Sequence, residues 1–170
     1  MLSDSELARA SRFHFEVDRT RWLRAHSALR TILSRYTGIP PLVLRFHLGE
    51  HGKPALESLG GPHFNLSHSG EWALIAVTSG APVGIDVERI REKVDIGALL
   101  RRLGESDLPD SREACFKRWA HREARSKAHG GPLMTPPPAD SYATEVQTAP
   151  GYVGAVALIG HSPGTKYYSE

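Results

Sequence analysis

The sequence predicts an α+β fold. Three observations carry that prediction. An amphipathic helix lies early in the chain, apolar strand runs separated by glycine turns occupy its middle, and a second long helix leads into two further strand runs.

Taken in order, residues 18–36 place Trp22, Ala25, Leu29, Ile32, Leu33 and Tyr36 at helical spacing, with Asp18 as the expected N-cap and Gly38 and Pro40 as the stop. Residues 42–46 read as a strand, and residues 49–54 and 60–62 carry turn chemistry. Residues 72–78 (WALIAVT) and 83–88 read as buried strands joined by a turn at 80–82, and together they predict a hairpin. A short helix is expected over 95–103, and a longer one over 111–129, capped by Ser111 and stopped by Gly130. Residues 130–139 (GGPLMTPPPA) exclude helix and central strand, because consecutive prolines remove donors and fix φ. Residues 142–146 and 152–159 read as strands, and the polar tail over 161–170 is expected to be loose. One internal echo fits two related halves: GEWALIAVTSG at 70–80 and GYVGAVALIGH at 151–161 each set an aromatic residue before a small apolar strand.

Length and composition bound the function. The 170 residues suit one domain or two small packed halves, and 40% hydrophobic with 24% charged residues is ordinary globular composition. No apolar stretch approaches the roughly 20 residues of a membrane span. Asp4 and Glu6 in an N-terminus without an apolar core argue against a signal peptide. Cys115 is the only cysteine, which excludes an internal disulfide and a cysteine zinc cage, and it reads as a core residue. A cytoplasmic location is the expectation. The net charge of +2 (21 Lys and Arg against 19 Asp and Glu) is too weak to indicate nucleic acid. Seven arginines between positions 9 and 35 (Arg9, Arg12, Arg19, Arg21, Arg24, Arg30, Arg35) are either a solvated helix face or an anion site.

Four segments carry possible chemistry. In Gly84-Ile85-Asp86-Val87-Glu88, strand alternation points Asp86 and Glu88 the same way. Two such carboxylates are either surface acids or hard oxygen ligands suited to Mg²⁺. In the helix segment from His121 to Lys127, Glu123 and Lys127 share a face one turn apart, either as an ion pair or as a metal ligand or general base beside an anion-binding lysine. Phe64-Asn65-Leu66-Ser67-His68-Ser69-Gly70 is a turn rich in donors for phosphate, or simply a capped turn. Neighbouring Ser67 and His68 point apart, and the glycine-flanked serine of a nucleophile elbow is absent. Gly52-Lys53-Pro54 centres a lysine in a turn but lacks the further glycines and hydroxyl of a P-loop.

The order of these four segments resembles that of the 4′-phosphopantetheinyl transferases of the Sfp type, from about residue 9 to residue 127, with a thinner match at Pro150-Gly151-Tyr152. The resemblance implies two similar α+β halves in a pseudo-twofold arrangement, residues 1–90 and a shortened 91–170, with the site between them. It also implies transfer of the phosphopantetheine arm of coenzyme A to a serine of an acyl or peptidyl carrier protein, leaving adenosine 3′,5′-bisphosphate. By the same resemblance Asp86, Glu88 and Glu123 hold Mg²⁺, Glu123 and Lys127 are catalytic, and Lys127 contacts the pyrophosphate. Arg9, Arg21, Lys53, Pro54, Ser67 and His68 serve the adenosine end. A monomer is expected, with no nucleic-acid or membrane partner. The chain departs from the pattern at Arg122, where the family usually has lysine, at Arg102-Leu103-Gly104-Glu105, where an aromatic pair and an acid are usual, and in the abbreviated 130–150 segment. The alternatives are a non-catalytic relative that binds coenzyme A or a carrier protein, and a Mg²⁺-dependent nuclease. A nuclease should bind nucleic acid with a steep salt dependence, and the basic residues here lack interleaved aromatics for base stacking.

Overall fold

The structure is a computed structural model that describes residues 1–58, 60–132, 135–164, 166 and 168. Leu133 and Met134 of the expected linker, and Thr165, Tyr167, Ser169 and Glu170 of the expected loose tail, lie outside the described residues. The chain is α+β, with helices α1 (Asp4–Ala10), α2 (Glu16–Thr37), α3 (Ile96–Arg102) and α4 (Arg112–His129). The strands are β1 (Phe46–Leu48), β2 (Pro54–Leu56), β3 (His63–Ser69), β4 (Trp72–Thr78), β5 (Val83–Arg89), β6 (Ser141–Glu145) and β7 (Tyr152–Ile159).

Local chemistry accounts for most of the boundaries. Helix α4 begins where the Ser111 side chain accepts the Ala114 N–H and ends at left-handed Gly130. Asp95 caps α3 in the same way. Helix α2 starts two residues before the expected cap, so Asp18 sits inside its first turn, where a carboxylate suits the helix dipole. The extra helix α1 carries a full capping box, Ser3 with Glu6, a signal present in the sequence but not read there.

The strand pairing differs from the expected hairpin over 72–88. Strand β4 pairs antiparallel with β3 across the two-residue turn Gly70-Glu71, with Ser69 opposite Trp72. Gly70 supplies the positive φ that this turn needs. The segment 64–69, read as a loop, is therefore a strand. Strand β5 instead pairs with β7, which is the centre of the sheet β5-β7-β6. The strand expected over 42–46 is confined to β1, paired with β2, while 42–45 form the approach to it.

Three apolar clusters hold these pieces. Leu29, Leu33, Leu44, Leu56 and Phe64 pack α2 on the first sheets. Phe116, Ala120, Ala124 and Ala128 pack α4 on Val153, Ala155 and Ala157 of β7, where small side chains let the helix come close. Val83, Ile85, Val156 and Leu158 join Leu74 and Ala76 across the seam between β4 and the β5-β7-β6 sheet. Helix α4 also lies directly on Gly84, where a Cβ would meet the Ala124 carbonyl oxygen and the backbone at Lys127 and Ala128. That close approach sets Lys127 against β5. Cys115 is half-buried beside the α4 core, with its thiol near the Pro109 carbonyl.

Candidate active site

Strand β3 runs beside β5 without a backbone ladder, and side chains take the place of that ladder. Asn65 Oδ1 accepts the Ile85 N–H at 2.9 Å, Ser67 Oγ accepts the Val87 N–H at 3.3 Å, and Ser69 Oγ accepts the Arg89 N–H at 3.0 Å. The period of two that turns Phe64 into the core turns these three polar side chains toward β5. The alternation of polar residues at 65, 67 and 69 was visible in the sequence, but its meaning depends on which strand lies opposite.

Across this seam an acidic centre forms. Asp86 is buried, only 2% exposed. Its Oδ1 accepts from Ser67 Oγ at 2.9 Å and from Lys127 Nζ at 2.6 Å, while its Oδ2 is buried with no hydrogen-bond partner among the described residues. Lys127 Nζ also stands 3.6 Å from Glu123 Oε2. Glu88 accepts from Ser69 Oγ at 3.2 Å and from the Trp119 indole N–H at 3.3 Å, with Arg91 at 3.8 Å. Burial, reinforced by the charge of Asp86, raises the Glu88 carboxyl above the usual carboxylate range. Burial raises Glu123 as well, with the charges of Asp86 and Glu88 adding to it and Lys127 opposing. Asp86 and Glu123 thus share the Lys127 ammonium, and Glu88 is coupled to both carboxylates by charge.

This geometry bears on the expected Mg²⁺. Among the described residues, no three carboxylate, imidazole or thiol groups lie close enough together to hold a metal ion as they stand, and Lys127 is bonded to Asp86. The donor set nevertheless fits the group. It is all hard oxygen, it carries more negative charge than Lys127 balances, and Asp86 Oδ2 is a buried acceptor lacking a donor. To take a cation, the carboxylates must exchange the Lys127 ammonium for it.

The residues expected at the adenosine end are not brought to one place. Ser67 belongs to the acidic centre, its hydroxyl used by Asp86, Val87 and Lys127. His68 points to the opposite face and is exposed, close enough to His26 of α2 for their charges to interact. Arg9 lies over the Trp22 ring, 5.7 Å from its centroid, and also acts on His26. Arg21 pairs with Asp18 at 3.3 Å and with Glu71 in the β3–β4 turn. Arg24 and Arg89 act on Glu71 too, so a basic cluster edges that turn.

Lys53 and Pro54 lie elsewhere. Lys53 Nζ donates to the carbonyls of Val83 and Ala128 at 3.0 and 2.9 Å, bridging the start of β5 and the C-terminal end of α4. Burial pushes its pKa down to about 8. Both residues line a cavity of about 630 Å³ shared with Leu56, Phe64, Pro82 and Ala128. Val83 and Arg89 mark opposite ends of β5, about 20 Å apart on an extended strand. The Lys53 turn therefore sits at one end of the seam and the arginine cluster at the other, with the acidic centre between them. For Lys53 or Ser67 to meet a phosphate, each must first give up internal bonds.

Comparison with known proteins identifies relatives of the chain. A family model described as "4′-phosphopantetheinyl transferase, N-terminal" matches residues 1–80. The chain is 33% identical to the 4′-phosphopantetheinyl transferase HetI of Nostoc sp., an alignment that takes in 98% of this chain and 82% of that protein. It is 32% identical to a 4′-phosphopantetheinyl transferase of Bacillus subtilis, over 95% of this chain and 74% of the relative. It is 28% identical to the 4′-phosphopantetheinyl transferase Sfp of Bacillus subtilis (strain 168), with the same coverage on each side.

Proposed function

The chain belongs to the 4′-phosphopantetheinyl transferase family, and on that footing we propose that it transfers the phosphopantetheine arm of coenzyme A to a serine hydroxyl of an apo acyl or peptidyl carrier protein, releasing adenosine 3′,5′-bisphosphate. The observation that carries this reading is the acidic centre: Lys127 held between Asp86 and Glu123, Glu88 coupled to both by charge, and Asp86 Oδ2 lacking a donor among the described residues.

In this reading Asp86, Glu88 and Glu123 hold Mg²⁺. When bound, the ion supplies charge neutralisation at the pyrophosphate as the leaving phosphate gains negative charge. Lys127, exchanged from Asp86, turns its ammonium to the same pyrophosphate. The carrier serine oxygen forms a bond to the β-phosphorus, and the phosphorus–oxygen bond to the adenosine-side phosphate breaks. Glu123 accepts the serine proton. Arg9, Arg21 and His68 serve the 3′-phosphate, supported by the basic cluster at the β3–β4 turn. Ser67 contributes by holding Asp86. Lys53 and Pro54 wall the other end of the seam, which receives the rest of coenzyme A. Asp86 and Glu88 from residues 1–90 meet Glu123 and Lys127 from residues 91–170 within a single chain, so the protein acts as a monomer.

The test is intact-mass spectrometry of a panel of apo carrier proteins incubated with the protein, coenzyme A and Mg²⁺. A gain of one phosphopantetheine group, lost on adding chelator and lost in Asp86→Asn, is the expected result. No gain with any carrier, despite measurable coenzyme A binding, would replace this reading with a non-catalytic relative. Full activity in Asp86→Asn would remove the metal assignment.

A further inference from the structure

Glu88 is the acidic-centre carboxylate farthest from Lys127's reach, and what holds it comes from two other elements. Its Oε2 receives the Ser69 hydroxyl at 3.2 Å from β3, and its Oε1 receives the Trp119 indole N–H at 3.3 Å from α4. The direction of the Ser69 bond is not free. The Arg89 N–H already donates to Ser69 Oγ at 3.0 Å, so the hydroxyl hydrogen is left for Glu88. Ser67 repeats the device one strand period earlier, accepting the Val87 N–H and donating to Asp86. In both cases the N–H that follows the carboxylate on β5 orients the serine that donates to that carboxylate. Trp119 has one donor and no acceptor, so its bond to Glu88 has only one possible direction. Each Glu88 oxygen keeps a further lone pair, so both can be gripped while still facing a cation.

We propose that Ser69 and Trp119 are positioning residues that fix the Glu88 carboxylate from two sides and so set the affinity of the acidic centre for its divalent cation. The inference rests on the metal reading given above. Strand β3 is packed by the first-half core and α4 by the second-half core. Their shared hold on Glu88 therefore ties cation affinity to the seating of the two cores against each other. Outer partners of a metal-ligating group typically contribute about 10–100-fold in metal affinity.

The test uses Mn²⁺ as the probe. It is titrated into the full-length protein with coenzyme A present, and free Mn²⁺ is followed by electron paramagnetic resonance. Ser69→Ala and Trp119→Phe should each weaken binding about 10-fold or more, and Ser69→Thr, which keeps the hydroxyl, should restore most of it. Transfer assays should then show a raised Mg²⁺ requirement, with rates recovering at high Mg²⁺ and an unchanged KM for coenzyme A. A purely structural role would lower the melting temperature without moving the Mn²⁺ dissociation constant, and a constant within about twofold of the parent in both variants overturns the proposal. If the parent protein itself binds no Mn²⁺, the metal reading fails along with it. Failure confined to the variants sinks only the positioning roles.

Discussion

Adding one methyl group at Gly84 should uncouple the fold from its site. A Cβ there would overlap the Ala124 carbonyl oxygen and press on the backbone at Lys127 and Ala128. These are backbone atoms of α4, so no side-chain rotation relieves the clash, and the helix itself must lift from β5. Overpacking that side chains can absorb costs about 1–3 kcal/mol. Here the whole α4 contact with Val153, Ala155 and Ala157 must shift, so we expect a loss of about 3–4 kcal/mol. For a chain of this size that is a fall in melting temperature of roughly 10 °C. The lift also carries Lys127 and Glu123 away from Asp86, so transfer activity should fall even well below the new melting point. Urea denaturation followed by circular dichroism measures the stability, with Gly80→Ala as the control, because no described residue lies within 4 Å of a Cβ built there. A Gly84→Ala protein within about 0.5 kcal/mol of the parent would refute the claim that this contact seats the helix.

Arg30 is 2% exposed and donates to Glu6 at 2.7 Å and to the carbonyls of Pro41 and Leu44. Arg30→Met should therefore lose about 3–5 kcal/mol in denaturant titration, and a loss below about 1 kcal/mol would count against this buried hub. His26, stacked on Trp22 with ring centroids 3.8 Å apart, has its pKa lowered by burial to about 4. The unfolded chain takes up that proton first as pH falls through 6.5. Stability is thus full above this pH and is lost on the way down to about 4. Relative to His26→Gln, the parent should lose about 2 kcal/mol between about pH 7.5 and about pH 5, and parallel stability curves would contradict the burial of a neutral imidazole. Asp86→Asn should change stability by about 1 kcal/mol or less, since it removes a buried charge with one unpartnered oxygen as well as an ion pair. Its transfer rate should fall roughly 10²-fold or more, and equal losses of stability and rate would assign Asp86 to the fold instead.

Much of this molecule is legible over short distances along the chain. Ser111 and Gly130 bound α4 because a cap needs only a hydroxyl, an N–H three residues on and a left-handed stop. Asp95 starts α3 and Gly38 ends α2 for the same reason. The apolar runs that became β5 and β7 announce strands because burial selects them residue by residue, whereas β4, expected to be buried, is only half-buried at best and has Trp72 exposed. The order of the four motifs was enough to indicate the family. Partners distant in sequence were decided by the tertiary structure. Strands β4 and β5 are adjacent in the chain and apolar alike, yet β4 pairs with β3 and β5 with β7. Hydrophobic pattern marks a strand's faces but not its neighbour. Ser67 and His68 are consecutive, and strand alternation sends one to Asp86 and the other to the side of α2. Lys127 reaches Asp86, 41 residues earlier, only because Gly84 lets α4 lie against β5. Local preferences are encoded in neighbouring residues. The meeting of charges across the seam depends on the packing of whole elements, and no segment read alone contains it.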